Sequence, residues 1–393
     1  MKLLVVTDHR YFRGADGIYD NSCFDRQFFN DYRACFEKVR VAARIRQDSI
    51  PEGARRCDGD GVEFVELQDV QGRKWATARR RTYCGTLDEA VTWSDAVCVR
   101  IPSSSGFHAY RLAKRLGRPI MFELIGDPFE SLQGPQMPLS ARVFGLYTAA
   151  MVRRITRAAT VGSYVSYRHL QRRYPARKGV ATAPISSIRM KATEVLPPKT
   201  YVDNPTPLRS VLTASLVPVK AHSVLIRAVA NAHHRGADLT LDLLGGGPMR
   251  AQLEQLVRKL GMGDRITFHG HVADRAILEK LLHKADLFAM TSVSEGMPRA
   301  MIEAMAKGVP CVGTTAGGIG ELLTPAQRVP VGDWQALGKL IAAVATNPQM
   351  LTAFAAHGHT MALNFVDTEL SQRRQRLLKI LAEAATSECP LPQ

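Results

Sequence analysis

Two glutamates, Glu295 and Glu303, stand eight positions apart in the segment Ser-Glu-Gly-Met-Pro-Arg-Ala-Met-Ile-Glu. Gly296 permits a tight turn after the first glutamate, and Pro298 suits the first position of a helix, where no amide donor is needed. Strand-like runs precede and follow the segment, so Glu295 lies in a loop at the carboxyl end of a strand. Ligands of open α/β sheets bind at that edge. Two carboxylates placed there suit the binding of hydroxyl groups such as those of a sugar nucleotide.

The segment resembles the donor-site signature of the retaining glycosyltransferases of family 4, which have the GT-B fold. The resemblance runs from Ala285 to Leu323, covers residues 210–331 well and covers the first half of the chain weakly. In that family the first glutamate, here Glu295, lies beside the donor sugar and belongs to the catalytic set. The second, here Glu303, hydrogen-bonds the ribose. Each glutamate alone has an ordinary alternative, which is a helix N-terminus preference for Glu295 and a solvated helix face for Glu303.

A cation is needed near these carboxylates, because transfer builds negative charge on the leaving diphosphate. Family members supply an arginine and a lysine after the first strand of the donor domain. Lys220 matches the lysine and is implied to be catalytic, whereas the arginine position holds Ser215. Either Arg299 or Arg250 fills in for that arginine, or catalysis is weaker than usual in the family. The alternative for Lys220 is an ordinary exposed lysine.

Several turns of the second half are similar to the walls of the family's donor pocket. Besides Glu303 and Ser215, the implied donor-binding residues are Gly245, Gly247, His271, Val272, Gly296, Met297, Arg299, Gly317 and Gly318. The glycines have a plain alternative, since backbone geometry alone can require them, and the histidine can be a surface residue. The resemblance implies transfer with retention at the anomeric carbon, without a metal and without a cofactor.

The first half of the chain holds the candidates for the acceptor side. Asp8 and Arg10 follow the first strand-like run, and Asp127 follows another in a Gly-Asp-Pro turn. That turn resembles one found in transferases of bacterial exopolysaccharide, capsule and lipopolysaccharide assembly. We expect Asp127 to touch the sugar or the acceptor and to join the catalytic set. Its alternative is a turn former before a proline.

Short strand-like runs alternate with helical patterns along both halves of the chain, which predicts parallel sheets covered by helices. Thr193 to Pro207 holds four prolines and few large apolar residues, a composition typical of a linker. We therefore predict an α/β protein of the GT-B class, with two Rossmann-like domains whose parallel sheets face each other across a cleft. The predicted parts are an acceptor domain over 1–192, a linker over 193–207, a donor-binding domain over 208–365 and a C-terminal helix over 366–388 that crosses back to the first domain.

The formal net charge is +16 over 393 residues, and it is unevenly spread. No Asp or Glu occurs between Glu130 and Glu194, where basic residues alternate with apolar and aromatic ones. Basic amphipathic helices lie on anionic membrane surfaces, so residues 142–191 are predicted to contact such a surface. A lipid-linked glycan acceptor would be presented there. The alternative is a solvated face around an ordinary core.

No apolar run approaches the roughly 18 residues that a membrane-spanning helix needs. The short apolar run after Met1 fits a first strand better than a signal-peptide core. The cysteines are scattered and lack metal-binding spacing. These features predict a cytoplasmic enzyme that associates peripherally with the inner face of the cytoplasmic membrane and holds no metal.

Two other functions remain open from the sequence. The positive charge would suit a nucleic-acid-binding protein, although no motif for nucleic acid is present and no such partner is expected. A nucleotide-sugar epimerase of the same fold would use the donor site without an acceptor. The paired glutamates favour transfer over both.

Overall fold

The computed structural model describes residues 1–68, 79–131, 138–272 and 274–387. These residues divide into two compact units. Unit 1 comprises Met1–Ser187 together with the C-terminal stretch from Leu370, and unit 2 comprises Ile188–Glu369. The division falls just before the stretch expected to be a linker. The C-terminal stretch belongs to unit 1, which is where the sequence predicts the last helix to return.

Unit 1 is a sheet with helices packed on it. Its strands are β1 (Lys2–Arg13), β2 (Ile18–Asp20), β3 (Lys38–Arg46), β4 (Arg55–Arg56), β5 (Val62–Leu67), β6 (Ala96–Ile101), β7 (Ile120–Leu124), β8 (Val161–Tyr164) and β9 (Ala181–Pro184). Its helices before the division are α1 (Arg26–Arg33), α2 (Arg79–Trp93), α3 (Ser104–Arg115), α4 (Pro128–Ser131), α5 (Leu139–Ala158) and α6 (His169–Arg173).

The parallel strands of unit 1 follow the order β5-β3-β1-β6-β7-β8-β9. The chain winds outward from β1 in one direction and then from β6 in the other, which is the doubly wound order of nucleotide-binding folds. β2 pairs antiparallel with the end of β1, and β4 pairs antiparallel with β2. The sequence does not predict these two additions, because strands of two or three residues carry no periodic pattern.

Unit 2 is likewise a sheet with helices packed on it. Its strands are β10 (Leu208–Thr213), β11 (Leu239–Leu244), β12 (Ile266–Gly270), β13 (Leu287–Met290), β14 (Cys311–Thr314) and β15 (Arg328–Val329). Its helices are α7 (His222–His234), α8 (Arg250–Lys259), α9 (Arg275–Lys284), α10 (Arg299–Ala306), α11 (Ile319–Leu322), α12 (Trp334–Ala345) and α13 (Pro348–Leu363). A last helix, α14 (Asp367–Thr386), begins in unit 2 and continues into unit 1.

The strands of unit 2 are parallel and follow the order β12-β11-β10-β13-β14-β15. The order reverses between β10 and β13, and open α/β sheets bind their ligands at the carboxyl edge beside such a reversal. The sequence predicts helices over His222–His234 and Trp334–Ala345, and α7 and α12 have these bounds.

α14 covers one face of the unit 1 sheet. Its residues Leu377, Leu378 and Leu381 are buried in the same apolar cluster as Phe29 of α1 and Val41 of β3. The other face is covered by α2, α3 and α5, whose buried residues form a second cluster. Unit 1 therefore needs the C-terminal end of the chain to complete its core.

Two elements differ from the sequence-based expectation. The sequence predicts a strand over Ala158–Gly162, but α5 continues to Ala158 and β8 starts at Val161. The helical apolar periodicity of α5 thus extends to Ala158, the expected first residue of the strand. The sequence analysis does not identify α13, although the side chain of Asn347 accepts a hydrogen bond from the Met350 amide and Pro348 occupies the first turn. Both are ordinary helix-start signals.

Candidate active site

Lys220 and Glu295 follow β10 and β13, the two strands at which the order reverses. The strands pair in parallel, so their following loops leave the sheet side by side. Lys220 Nζ donates a hydrogen bond to Glu295 Oε1, and the two side chains are 25% and 12% exposed. The ion pair therefore lies where open α/β sheets bind their ligands.

Hydroxyl groups hold these two loops in place. Thr291 Oγ1 donates to the carbonyl oxygen of Lys220 at 3.2 Å, and Ser292 Oγ donates to Glu295 Oε1 at 2.8 Å. Thr314 of β14 donates to the carbonyl oxygen of Ser292 at 2.9 Å. Glu295 Oε1 accepts from both Lys220 and Ser292, which orients the carboxylate.

Two helices begin beside the ion pair with no side-chain cap. α7 starts directly after Lys220 and the left-handed residue Ala221, and α10 starts at Arg299, shortly after Glu295. The free amide groups at the start of a helix attract anions. Together with the Lys220 ammonium group, they make this edge suited to a diphosphate.

The glycine turn after β11 packs against the loop after β10. A Cβ atom at Gly245 would overlap the carbonyl oxygen of Ala214, and a Cβ at Gly247 would lie 2.5 Å from the carbonyl oxygen of Leu216. Close backbone packing thus explains both glycines. The turn forms a wall beside Ser215, whose short side chain is exposed.

The turn that contains Gly317 and Gly318 packs against the loop that carries Glu295. A Cβ atom at either glycine would overlap a carbonyl oxygen, that of Glu295 for Gly317 and that of Gly296 for Gly318. The Gly318 amide also donates to the Glu295 carbonyl oxygen at 3.1 Å. These glycines therefore position the Glu295 loop through the backbone. Met297, in the same loop, is buried.

Glu303 lies in the second turn of α10 and lines a cavity of about 100 Å³ with Arg275 and Glu279. Glu295 is not among the described residues around this cavity. Arg275 Nε bonds Glu279 at 2.9 Å, and no hydrogen bond to the Glu303 carboxylate is found among the described residues. Burial raises the pKa of Glu303 above its ordinary value, against the lowering charges of Arg299 and Arg275. A carboxylate in this state is suited to accept hydrogen bonds from ligand hydroxyl groups.

The other predicted donor residues lie at strand ends or helix starts of the same sheet edge. Arg299 is exposed at the start of α10. Arg250 begins α8 and bonds Glu254 at 2.8 Å. His271 is exposed and Val272 half-buried directly after β12.

In unit 1 the equivalent reversal of strand order lies between β1 and β6 and is filled by Asp8. Its Oδ2 atom accepts from the Ser104 amide at 3.1 Å, and its Oδ1 atom accepts from the Ser105 hydroxyl. Arg44 Nη2 lies 3.5 Å from Oδ1. A carboxylate of the chain thus occupies the start of α3, where a phosphate would otherwise bind. Arg10 lies half-buried on β1 nearby.

Asp127 is 3% exposed and is held inside unit 1. Its Oδ1 accepts from the Tyr174 hydroxyl at 2.7 Å, and its Oδ2 lies 3.0 Å from Arg173 Nε. Asp127, Glu130 and His169 place their ligand atoms within 4.8 Å of one another. Arg173 also lies 2.9 Å from Glu130, so a cation of the chain already balances these carboxylates. The contacts are those expected of a residue that fixes the turn between β7 and α4.

The sequence analysis does not identify two residues of the site, Ser292 and His222. Ser292 stands three positions before Glu295, within reach of its carboxylate, so a hydroxyl at that spacing is the available signal. His222 is 2% exposed, and its Nε2 atom has no hydrogen-bond partner among the described residues. Burial, followed by the charge of Lys220, lowers the pKa of His222 to about 4. A neutral imidazole thus stands next to Lys220.

We predict that His222→Asn flattens the acid side of the stability profile. Between about pH 6.5 and about pH 4, His222 is protonated in the unfolded chain but stays neutral in the folded protein. Lowering the pH through this range therefore favours the unfolded state, and the wild type should lose about 3 kcal/mol of unfolding free energy. The variant should lack that part of the loss. Urea unfolding at a series of pH values measures it, with the exposed His271→Asn as the matched control. Parallel profiles for wild type and His222→Asn would contradict the prediction.

Comparison with known proteins identifies the domain around this site. The family model described as glycosyl transferases group 1 matches residues 201–361. The chain carries a group 1 glycosyltransferase domain. This transferase domain contains Lys220, Glu295 and Glu303, and the matched range contains all the strands of unit 2 that the structure describes.

Two curated relatives show how far the likeness extends. Protein CapJ of Staphylococcus aureus is 25% identical over 320 residues, which are 81% of this chain and 80% of CapJ. The putative colanic acid biosynthesis glycosyltransferase WcaL of Escherichia coli is 32% identical over 147 residues, which are 35% of this chain and 36% of WcaL. The match to CapJ is longer than the whole of unit 2, so it includes part of unit 1.

A solved structure shows the same fold. Anabaena Alr3699/HepE in complex with UDP-glucose has a TM-score of 0.64 at 17% identity, with 96% of this chain and 98% of that chain covered. The prediction of a GT-B protein with two parallel-sheet domains is confirmed.

The basic stretch predicted to contact a membrane is divided between the two units. Arg189 belongs to unit 2, where its Nε atom lies 3.8 Å from Asp367, and Arg173 is paired inside unit 1. The basic residues that α5 exposes are Arg142, Arg153, Arg154 and Arg157. In the part of the chain that the structure describes, no helix combines the length and apolar character needed to cross a bilayer.

Proposed function

We propose that this protein is a retaining hexosyltransferase that moves a sugar from a nucleotide-sugar donor to a lipid-linked glycan acceptor during cell-surface polysaccharide assembly. The observation that carries the proposal is the Lys220–Glu295 ion pair at the reversal of strand order in the transferase domain. The name of WcaL, a putative colanic acid biosynthesis glycosyltransferase, supports a role in polysaccharide assembly. HepE was solved with UDP-glucose, which makes this the first donor to test.

The donor diphosphate would lie against Lys220 and the starts of α7 and α10. Its binding would draw the Lys220 ammonium group from Glu295 toward the phosphate oxygens. Positive charge at that place lowers the barrier, because negative charge grows on the leaving group. Glu295, still held by Ser292, would then accept hydrogen bonds from the donor sugar. Retention follows if the departing phosphate oxygen takes the acceptor proton on the same face of the sugar.

The chain itself supplies the cation for the leaving group, so we propose neither a metal nor a cofactor. Addition of EDTA should then leave the transfer rate unchanged. A rate that falls with EDTA and recovers with a divalent ion would contradict metal independence but would leave the transfer reaction intact.

We predict that Glu303→Ala weakens donor binding by about 1.5–3 kcal/mol, the usual cost of losing a hydrogen bond to a charged group. The half-buried carboxylate would otherwise accept from the ribose hydroxyls. Titration calorimetry with UDP-glucose measures the change, and Glu383→Ala, at an exposed position of α14 in unit 1, is the control. Circular dichroism checks that the fold is kept. Equal affinities for Glu303→Ala and wild type would remove Glu303 from the donor site.

The acceptor and the location follow from the charge of unit 1. A protein that associates peripherally with the inner, anionic face of the cytoplasmic membrane can reach a glycan that is attached to a membrane lipid. We therefore propose a cytoplasmic enzyme at that surface. Asp8 and Arg10 are the proposed acceptor-side residues, and Asp127 is kept as a residue that shapes the acceptor region from inside.

One experiment separates the proposed transfer from the two other functions. Purified protein is incubated with labelled sugar nucleotides, with and without a membrane lipid extract. Label that enters lipid only with the extract supports transfer. Conversion of the sugar nucleotide without any acceptor would favour an epimerase. Salt-sensitive binding to duplex DNA without turnover of sugar nucleotide would favour a nucleic-acid-binding protein.

A further inference from the structure

We infer that the first half of α5 inserts into the surface of an anionic phospholipid bilayer, with cations of α3 and α5 around it. The inference rests on the membrane association proposed above and gives it a place on the molecule. The proposed contact surface lies partly outside residues 142–191, the stretch that the sequence predicts to contact a membrane. It is called the α5 patch below and consists of Leu139, Val143, Phe144, Leu146 and Tyr147.

The α5 patch exposes apolar side chains along one side of a helix. The exposed fractions are 75% for Leu139, 57% for Val143, 50% for Phe144, 56% for Leu146 and 46% for Tyr147. All but Phe144 follow the i, i+4, i+7, i+8 spacing of one helix face. The opposite side of α5 already packs on the core of unit 1. A solvated helix face is ordinarily polar, so water alone does not account for this one.

The same face of α5 becomes cationic farther along the helix. Beyond the α5 patch, α5 exposes Arg153, Arg154 and Arg157, and the neighbouring α3 exposes Arg111, Lys114 and Arg115. A depression joins the two helices; it is lined by four of these cations with His108 and Tyr110, and no carboxylate is among its described lining residues. Asp88 pairs with His108 at 2.6 Å, and the four cations still give the depression an excess of positive charge, which attracts anionic lipid head groups.

One contact ties the apolar and cationic parts together. Arg111 Nη2 donates to the Tyr147 hydroxyl at 2.9 Å, which holds a cation of α3 against the patch. Exposed apolar side chains next to a positive rim are the pattern of helices that lie in a membrane interface. Charge complementarity therefore selects an anionic bilayer as the occupant.

The position of the patch fits a lipid-linked acceptor. α5 follows β7 and α4, so its first turns lie toward the carboxyl edge of the unit 1 sheet. Asp8 and the start of α3 lie at the same edge. A glycan lipid in a bilayer that contacts the patch would present its head group toward this edge.

The test measures binding to sucrose-loaded phosphatidylcholine vesicles with and without phosphatidylglycerol, in the absence of donor and acceptor. V143S/L146S keeps the charge of the protein and should lower the vesicle affinity about tenfold, because partly exposed aliphatic side chains no longer enter the bilayer. V202S/L363S removes two exposed apolar side chains of unit 2 and should bind like wild type.

The charge is tested in the same way. K114Q/R154Q should lower the affinity for anionic vesicles about tenfold or more at low salt and should have less effect at high salt. R258Q/K259Q removes two exposed cations of α8 in unit 2 and is the matched control. A reporter variant, F144W, is read as the difference from wild type, because the chain already has three tryptophans; this difference emission should shift to the blue on anionic vesicles and be quenched by lipids brominated in the acyl chains.

The outcomes separate the inference from the proposed function. Vesicle affinity that V143S/L146S leaves unchanged, or F144W emission that acyl-chain bromine does not quench, would overturn insertion. A concentration-dependent dimer that V143S/L146S abolishes, with unchanged vesicle binding, would assign the patch to a second copy of the chain and would also overturn it. Transfer to a water-soluble acceptor reports on the active site alone, so its loss would contradict the proposed function without bearing on the patch.

Discussion

Replacing Lys220 by alanine should lower the rate of sugar transfer by about 10²–10³-fold, the usual effect of removing one group that stabilises developing negative charge. Lys220 is the cation that the structure places at the reversal of strand order, against Glu295 and between the starts of α7 and α10. The loss should appear mainly in kcat, because the charge on the leaving group is greatest in the transition state. Initial rates with labelled UDP-glucose and a lipid extract measure it.

The control for Lys220 is Lys259→Ala, an exposed lysine at the end of α8. Lys220→Arg keeps the charge and should retain more activity than Lys220→Ala. Glu295→Gln tests the partner, and the double variant should lose less than the sum of both single losses, since the two side chains contact each other. A Lys220→Ala enzyme with the kcat of wild type would remove this residue from catalysis.

Replacing Arg374 by methionine should destabilise unit 1 by about 3–5 kcal/mol, which is typical when one partner of a buried ion pair is removed. Arg374 is 7% exposed. Its Nη1 atom donates to Asp31 Oδ2 at 2.6 Å, and its guanidinium group lies 4.8 Å from the centre of the Phe28 ring. The change would leave the largely buried Asp31 carboxylate without its cation. Thermal and urea unfolding measure the effect.

Arg376→Met is the matched control, because this arginine is exposed on the same helix two positions farther on. D31N/R374M should recover part of the loss, since it removes the uncompensated charge. Donor binding by unit 2 should be affected less than the stability of unit 1. A change below about 1 kcal/mol would mean that α14 is held by its leucines and that the ion pair is dispensable.

The elements of unit 2 that carry the candidate site could be largely predicted from local patterns. The loop with Glu295, the helix with Glu303 and the lysine after β10 each carry signals within a few residues, such as a proline at a helix start or a glycine in a tight turn. Such signals act through backbone conformation, which neighbouring residues control. The parallel character of both sheets follows from alternating strands and helices, whereas the order of the strands comes from the structure.

Side-chain partners from distant segments could not be predicted. Asp127 reads as a candidate for substrate contact, yet Tyr174 and Arg173 enclose it. Asp8 reads as a cleft residue, yet it occupies the start of α3. Tyr174 is 47 positions from Asp127 in the sequence, and Ser104, whose amide donates to Asp8, is 96 positions from it. No local pattern carries that information.

The sequence by itself determined the class of fold and the place of Glu295 and Lys220 after strands at the carboxyl edge of the second sheet. Backbone preferences and apolar periodicity are short-range, so they are legible in the order of residues. Only the tertiary structure decided that Lys220 bonds Glu295 and that Glu303 lines a cavity that Glu295 does not line. It also decided that the α5 patch is exposed. Those outcomes depend on which surfaces meet when the elements pack, and packing joins residues that the chain keeps far apart.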